Sequence, residues 1–167
     1  VHTPADVLVG SAMAGVLILI MRPLIFGKDG KYIPYVLAFM SVAAVAYLCY
    51  VEFYPFPADI QVENLQSGTK NAYTLLGALL GFLVVYFVDE KWLHFSVKAV
   101  WWAQILKAVL GLAAVLGVKE GMRPVLEAVL PIMPARAVRY CLIVVVAGVV
   151  WPLTFRRFSK LGKKDNN

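Results

Sequence analysis

The amino-acid sequence predicts an all-α protein, a polytopic transmembrane helical bundle of about five spans. Of its 167 residues, 61% are hydrophobic and only 16% are charged, whereas soluble domains have roughly 45–50% apolar and roughly 25% charged residues. The apolar residues form blocks close to the roughly 20 residues that a helix needs to cross the hydrocarbon of a bilayer. Most basic residues lie between these blocks or after the last one, which is typical of membrane proteins.

Five blocks approach the length of a span, and they cover residues 4–25, 32–54, 72–88, 97–118 and 135–155. The charged, turn-forming GKDGK follows the first block, and the polar PFPADIQVENLQSGTKN separates the second from the third. Between the fourth and the fifth, KEGMRPVLEAVLPIMP predicts an interfacial amphipathic helix that is broken by prolines. The sequence therefore leaves no room for a soluble domain.

The basic residues predict the orientation of the chain. If the five spans alternate in direction, one side of the membrane receives ten Lys and Arg residues, including those of the C-terminal tail, and the other side receives five. Because cytoplasmic loops carry the excess of basic residues, we expect a cytoplasmic C-terminus and an N-terminus at the outer face. Aromatic residues at the predicted ends of the spans, such as Tyr32, Trp92 and Trp151, support these boundaries.

The first residues, VHTPAD, combine a helix start with a candidate catalytic pair. His2 and Asp6 are four residues apart, so a helix places them on one face. An Asp that accepts a hydrogen bond from one ring nitrogen leaves the other nitrogen free to act as a nucleophile or base. Alternatively the stretch is only a helix cap, with Thr3 as N-cap, Pro4 at the first helical position and Asp6 closing a capping box. The spacing alone favours the cap, and the two roles are compatible.

The stretch VHTPADVLVG resembles the end of the third signature of the type 2 phosphatidic acid phosphatase superfamily, in which His-x-x-x-Asp runs into a transmembrane helix. LLGALLGFLVVYFVDEKWLHFS and ARAVRYCLIVVVAGVVWPLTFRRF resemble the C-terminal membrane region of a group of bacterial members. The resemblance implies that His2 is the nucleophile that forms a phosphohistidine and that Asp6 orients its imidazole. It further implies a lipid phosphate or polyprenyl pyrophosphate substrate at the outer leaflet of a bacterial plasma membrane, with no cofactor or metal.

Other parts of the family pattern are missing from this sequence. The first signature is a Lys followed by six residues and Arg-Pro, but Gly15 and Leu116 occupy the Lys positions before the two Arg-Pro pairs. Pro-Ser-Gly-His and the Ser-Arg that should precede His2 are also absent. We therefore expect residues 1–26 to be the end of a catalytic helical bundle and residues 27–167 a C-terminal transmembrane region of about four helices, inactive without an upstream portion. The alternative is a non-enzymatic membrane scaffold, subunit or small transporter.

Lys107 lies inside the fourth apolar block, where a charge usually faces the interior of the bundle. We interpret it as a packing residue that pairs with an acid such as Glu52 or snorkels to an interface. The alternative is a polar path along one helix face with Gln104, as in a transporter.

Small residues four apart, Gly77 with Gly81 and Gly10 with Ala14, predict close packing between helices of one chain. Cys49 and Cys141 fall in apolar blocks and are expected to be buried thiols rather than a disulfide.

His94 is expected in an interfacial loop on the cytoplasmic side, opposite His2. The sequence has two histidines and no Cys-x-x-Cys, so it predicts no metal site. Topology accounts for the net charge of +6, so we expect membrane lipids and no nucleic acid as partners.

Overall fold

The computed structural model describes residues 4–27, 30–57, 60–93 and 101–155. It is 91% helical, and the described residues contain no strand. Five helices are long and apolar enough to cross a membrane. These findings confirm the predicted all-α, polytopic membrane architecture with five spans.

The five helices are α1 at Pro4–Phe26, α2 at Ile33–Phe53, α3 at Val62–Val88, α4 at Trp101–Val129 and α5 at Ile132–Val145. Two of them continue beyond these bounds. A π-helical turn at Asp89–Leu93 follows α3, and another at Val146–Val150 carries α5 into a final turn at Trp151–Leu153. The apolar spans formed in this way are Val62–Trp92 and Ile132–Leu153.

The chain forms two compact units, Val1–Phe39 and Met40–Asn167. The first contains α1 and the first turns of α2. At the end of α1 the Gly27 N–H donates to the Pro23 carbonyl at 3.0 Å, and Gly30 then adopts a φ of 76°, a left-handed conformation that glycine adopts without steric penalty. A turn at Gly30 therefore follows the first span, where GKDGK predicted one.

The second unit is built on two helix pairs. α3 and α5 are parallel, because Gly77, Gly81 and Val85 of α3 meet successively later positions of α5. α4 runs antiparallel to α5 and joins it through a tight connection at Leu130 and Pro131. α2 runs beside the start of α3, where the Tyr47 hydroxyl donates to the Gly68 carbonyl at 3.4 Å. The buried apolar residues of this unit are mostly small: Ala44, Val51, Ala72, Leu79, Ala103 and Ala135.

Two predicted boundaries are wrong, both at helix ends. α3 begins at Val62 rather than residue 72, because its first turns are polar and a hydropathy block does not include them. α4 continues to Val129 through Pro124, so no separate interfacial helix follows residue 118. A proline inside a helix removes one backbone donor and bends or breaks the helix; here it does not end α4, which stops only just before Pro131.

Candidate functional site

The candidate catalytic pair lies at the N-terminal end of α1. Asp6 is exposed in the first turn of this helix, where a carboxylate interacts favourably with the positive end of the helix dipole. His2 and Thr3 lie outside the described residues. The structure therefore gives the setting of Asp6, and the pairing of Asp6 with His2 stays a prediction.

Lys107 is buried in the second unit, with only 4% of its surface exposed. Its ammonium nitrogen lies 4.3 Å from the centroid of the Phe155 ring, near the end of α5. A cation above an aromatic face is stabilised by the ring quadrupole, and more strongly where water is excluded. This geometry agrees with the interpretation of Lys107 as a packing residue.

The suggested partner Glu52 lies at the other end of the unit. Glu52 lies near the Tyr73 hydroxyl, and Tyr73 is one turn before Gly77, which contacts Ala137. Phe155 is about 18 residues beyond Ala137, roughly 27 Å along α5 by helical rise. The predicted pairing of Lys107 with Glu52 is therefore wrong, because the two residues belong to opposite ends of the helices.

The two small-residue pairs behave differently. A Cβ atom at Gly81 would lie 2.7 Å from the Val144 Cβ and 2.9 Å from the Cys141 carbonyl oxygen, and one at Gly77 would overlap the backbone of Ala137. The predicted packing within one chain is thus confirmed for Gly77 and Gly81. At Gly10 a Cβ would meet open space, so this residue has no packing role within its own unit.

A charged cluster lies where α4 and α5 meet, and we call Arg123, Glu127, Arg136 and Arg139 the arginine cluster. The Arg123 Nε donates to Glu127 Oε1 at 3.1 Å, and Arg139 Nη1 lies 3.9 Å from the same oxygen. Arg139 is buried, with 7% of its surface exposed. Sequence reasoning used these arginines only to assign topology. Two arginines three residues apart at the start of an apolar span were the signal that could have identified the cluster.

The cluster contains donors that no described residue satisfies. The Nε atoms of Arg136 and Arg139 are both buried and have no hydrogen-bond partner within the described part of the chain. The carboxylate of Glu127 contacts the guanidinium groups of Arg123 at 3.1 Å and Arg139 at 3.9 Å, and with Arg136 the cluster has three arginines against one glutamate, a formal charge of about +2. An anion with several oxygen acceptors would match this arrangement.

The two cysteines and His94, which the sequence also singled out, add no catalytic group to the described part of the structure. Cys49 is an exposed free thiol on α2, contrary to the expectation that it is buried, and Cys141 is a half-buried free thiol. His94 lies outside the described residues. Among the residues that are described, no group of three or more His, Cys, Asp or Glu side chains could hold a metal ion.

Comparison with protein families gives one match, to the family described as PAP2 superfamily phosphatase, transmembrane extension, over residues 73–164. The match covers more than half of the chain. The chain belongs to this family. Comparisons with curated proteins and with solved structures gave no match. The predicted membership of the PAP2 superfamily is confirmed. The matched residues 73–164, which we call the PAP2 extension, include Gly77, Lys107 and the arginine cluster but not Asp6.

Proposed function

We propose that this chain is the C-terminal, membrane-embedded portion of a phosphatase that hydrolyses a lipid phosphate or a polyprenyl pyrophosphate. One observation carries the proposal: the family that matches α3, α4 and α5 is an extension of PAP2 superfamily phosphatases. Five helices that are long and apolar enough to cross a membrane suit a substrate whose tail stays in the bilayer. Membrane lipids are the expected surroundings, and nucleic acid, metal and cofactor play no part in the proposal.

His2 is the proposed nucleophile. One ring nitrogen attacks phosphorus, so that an N–P bond forms as the bond to the leaving oxygen breaks, and water then hydrolyses the phosphohistidine. Asp6 accepts the hydrogen bond of the other ring nitrogen and stabilises the imidazolium. The placement of Asp6 in the first turn of α1 supports this role, because His2 is only four residues before Asp6 in the sequence.

The chain itself does not contain every group that the reaction needs. Phosphoryl transfer depends on cations and backbone donors around the transferred group and on an acid for the leaving oxygen. The Lys-x6-Arg-Pro and Pro-Ser-Gly-His signatures that would supply them are not in this sequence. We infer that upstream residues supply them, and reading the encoding gene upstream of Val1 tests this inference directly.

The proposed active site lies at the outer leaflet of a bacterial plasma membrane, with the C-terminus in the cytoplasm. This placement is supported by the excess of basic residues on the tail side of the spans. A lipid phosphate headgroup lies at the same depth as a helix N-terminus at the outer boundary of the hydrocarbon.

Phosphate release from lipid phosphates and polyprenyl pyrophosphates by the full-length protein in detergent tests the proposal. His2→Ala should abolish both activity and the trapped phosphoenzyme. Asp6→Asn should lower kcat by roughly 10²–10⁴-fold, the usual contribution of acid–base groups. Glu63→Gln is the matched control, because Glu63 is also acidic and also in the first turn of a helix, and it should leave kcat unchanged.

The alternative is a non-enzymatic scaffold, subunit or small transporter. Activity that persists in both His2→Ala and Asp6→Asn would mean that the first residues only cap α1. A gene without the two upstream signatures, together with no phosphate release from any substrate, would favour this alternative.

A further inference from the structure

We propose that the arginine cluster is a second, non-catalytic site in the PAP2 extension that binds a phosphate monoester or diphosphate group. The proposal requires no chemistry at His2 and goes beyond the hydrolysis proposed above. It rests on four properties of the cluster: its assembly from two helices, its excess positive charge, its buried donors and its position along the helices.

The α4–α5 hairpin assembles the cluster. Arg123 and Glu127 are four residues apart on α4 and form an ion pair at 3.1 Å, and Glu127 in turn lies 3.9 Å from Arg139 on α5. Arg136 lies three residues before Arg139, which places the two residues on the same face of α5. Guanidinium groups from two helices therefore lie around one carboxylate.

The charges of the cluster do not balance. Within the described part of the chain Glu127 is the one carboxylate that pairs with the cluster, and Arg123 already holds this carboxylate at 3.1 Å. The nearby Glu120 pairs with Lys119 at 3.5 Å and adds no net charge. A phosphate monoester or diphosphate, with about two negative charges, would neutralise the excess.

Burial makes this imbalance unfavourable unless an anion is present. Arg139 is more than nine-tenths buried, and its Nε and that of Arg136 have no acceptor among the described residues. A buried cationic donor without an acceptor is strongly destabilising. Arginine presents its donors as a planar fork that matches phosphate oxygens two at a time, which favours a phosphoryl group over a monovalent anion.

The position of the cluster along the helices favours a lipid phosphate headgroup as the ligand. The cluster lies in the last turns of α4 and the first turns of α5, beside the connection at Leu130 and Pro131. Because the ends of membrane-spanning helices lie at the boundary of the hydrocarbon, the cluster is at the depth of lipid headgroups. A lipid phosphate headgroup and free pyrophosphate share the chemistry that the cluster recognises, and the experiment below distinguishes them.

Binding is measured on the full chain in dodecyl maltoside by native mass spectrometry, which counts bound molecules without turnover. The probes are dioleoylphosphatidic acid, dioleoylphosphatidylcholine and inorganic pyrophosphate, each titrated separately. We expect phosphatidic acid to bind in preference to phosphatidylcholine. If pyrophosphate competes with phosphatidic acid, a phosphoryl group without a lipid tail is sufficient for binding. If phosphatidic acid binds and pyrophosphate does not, the ligand is a lipid headgroup.

Variants locate the site. Arg136→Gln and Arg139→Gln should each weaken binding about tenfold or more, because each removes charge-assisted hydrogen bonds. Lys119→Gln is the charge-matched control on α4, since Lys119 is exposed and paired with Glu120, and it should change affinity by about twofold or less. Equal weakening by Lys119→Gln, or phosphatidic acid binding no tighter than phosphatidylcholine, would overturn the proposal.

Arg139→Lys separates the geometry of the site from its charge and serves if Arg139→Gln does not fold. Lysine keeps the positive charge but lacks the fork, so binding should still weaken while the helix content by circular dichroism is retained. If both Arg139→Lys and Arg136→Gln bind phosphatidic acid with full affinity, the arginine cluster is not the binding site. None of these variants alters His2 or Asp6, so failure of this proposal would leave the proposed hydrolysis unaffected.

Discussion

Gly77 on α3 lies so close to Ala137 on α5 that a Cβ atom at position 77 would overlap the Ala137 backbone carbonyl. Gly81 and Gly148 continue the same contact, against Val144 and Val85 respectively. Without a hydrophobic driving force between helices in lipid, close backbone approach of this kind is a main source of packing energy. The parallel α3–α5 pair is therefore closely packed along Gly77, Gly81 and Gly148.

Gly77→Ala should destabilise the protein. The helix propensity of alanine exceeds that of glycine by about 1 kcal/mol, but the new methyl group meets backbone atoms that cannot rotate away. Overpacking of this kind costs about 1–3 kcal/mol, so a net loss is expected. Unfolding by sodium dodecyl sulfate in mixed micelles, followed by circular dichroism, measures it.

Gly117→Ala is the control for this prediction. Gly117 is also a helical glycine of the extension, but a Cβ atom there would have nothing within 4 Å. The substitution should be neutral or slightly stabilising. Equal destabilisation by both substitutions would mean that the contact between Gly77 and Ala137 does not determine stability.

Glu127→Gln should destabilise the α4–α5 hairpin more than Arg123→Gln does. The first substitution removes the carboxylate that lies 3.9 Å from the buried Arg139 guanidinium, and a buried charge that loses its counter-ion should cost about 3 kcal/mol. The second removes an exposed pair on one helix, worth about 0.3–0.5 kcal/mol. The comparison is made in phosphate-free buffer with phosphatidylcholine as the added lipid. A loss in Arg123→Gln as large as in Glu127→Gln would show that Arg139 does not depend on the carboxylate.

Hydropathy predicted the five spans because each span must satisfy its backbone internally and present apolar side chains to lipid. It failed where a helix continues beyond the hydrocarbon. The structure is helical in the polar turns of α3 before Ala72 and in α4 beyond residue 118. Neither stretch belongs to an apolar block, so hydropathy did not predict it. A proline such as Pro124 ends a helix only if the surrounding turns cannot tolerate the lost hydrogen bond.

The candidate sites were predicted less completely. The spacing of Gly77 and Gly81 predicted a close contact, and this contact is present. The arginine cluster depends on which residues of α4 oppose α5, and that register follows from tertiary packing rather than from local sequence. The partner of Lys107 was missed for the same reason, because Phe155 is distant in sequence and lies beside it only when α4 and α5 run antiparallel.

The orientation predicted from the basic residues can be tested with two single cysteines in a background of Cys49→Ala and Cys141→Ala. Ser67→Cys is in the exposed first half of α3, and Ser159→Cys is in the basic tail. In intact cells a membrane-impermeant maleimide should label only Ser67→Cys, and permeabilisation should add Ser159→Cys. The reverse labelling pattern would place His2 at the cytoplasmic face and remove the outer-leaflet assignment.

The contact between Lys107 and Phe155 should contribute measurable coupling energy. Lys107→Met keeps the apolar stem and removes the ammonium, and Phe155→Leu removes the ring. A double-mutant cycle should give a coupling of about 0.5–2 kcal/mol, as expected for a cation–π contact shielded from water. Phe82→Leu is the control partner, because Phe82 lies on an apolar surface with Val85 and Val115, well away from Lys107. If the free-energy changes are additive in both cycles, other contacts hold Lys107 in place. That result would favour the alternative in which Lys107 belongs to a transport path.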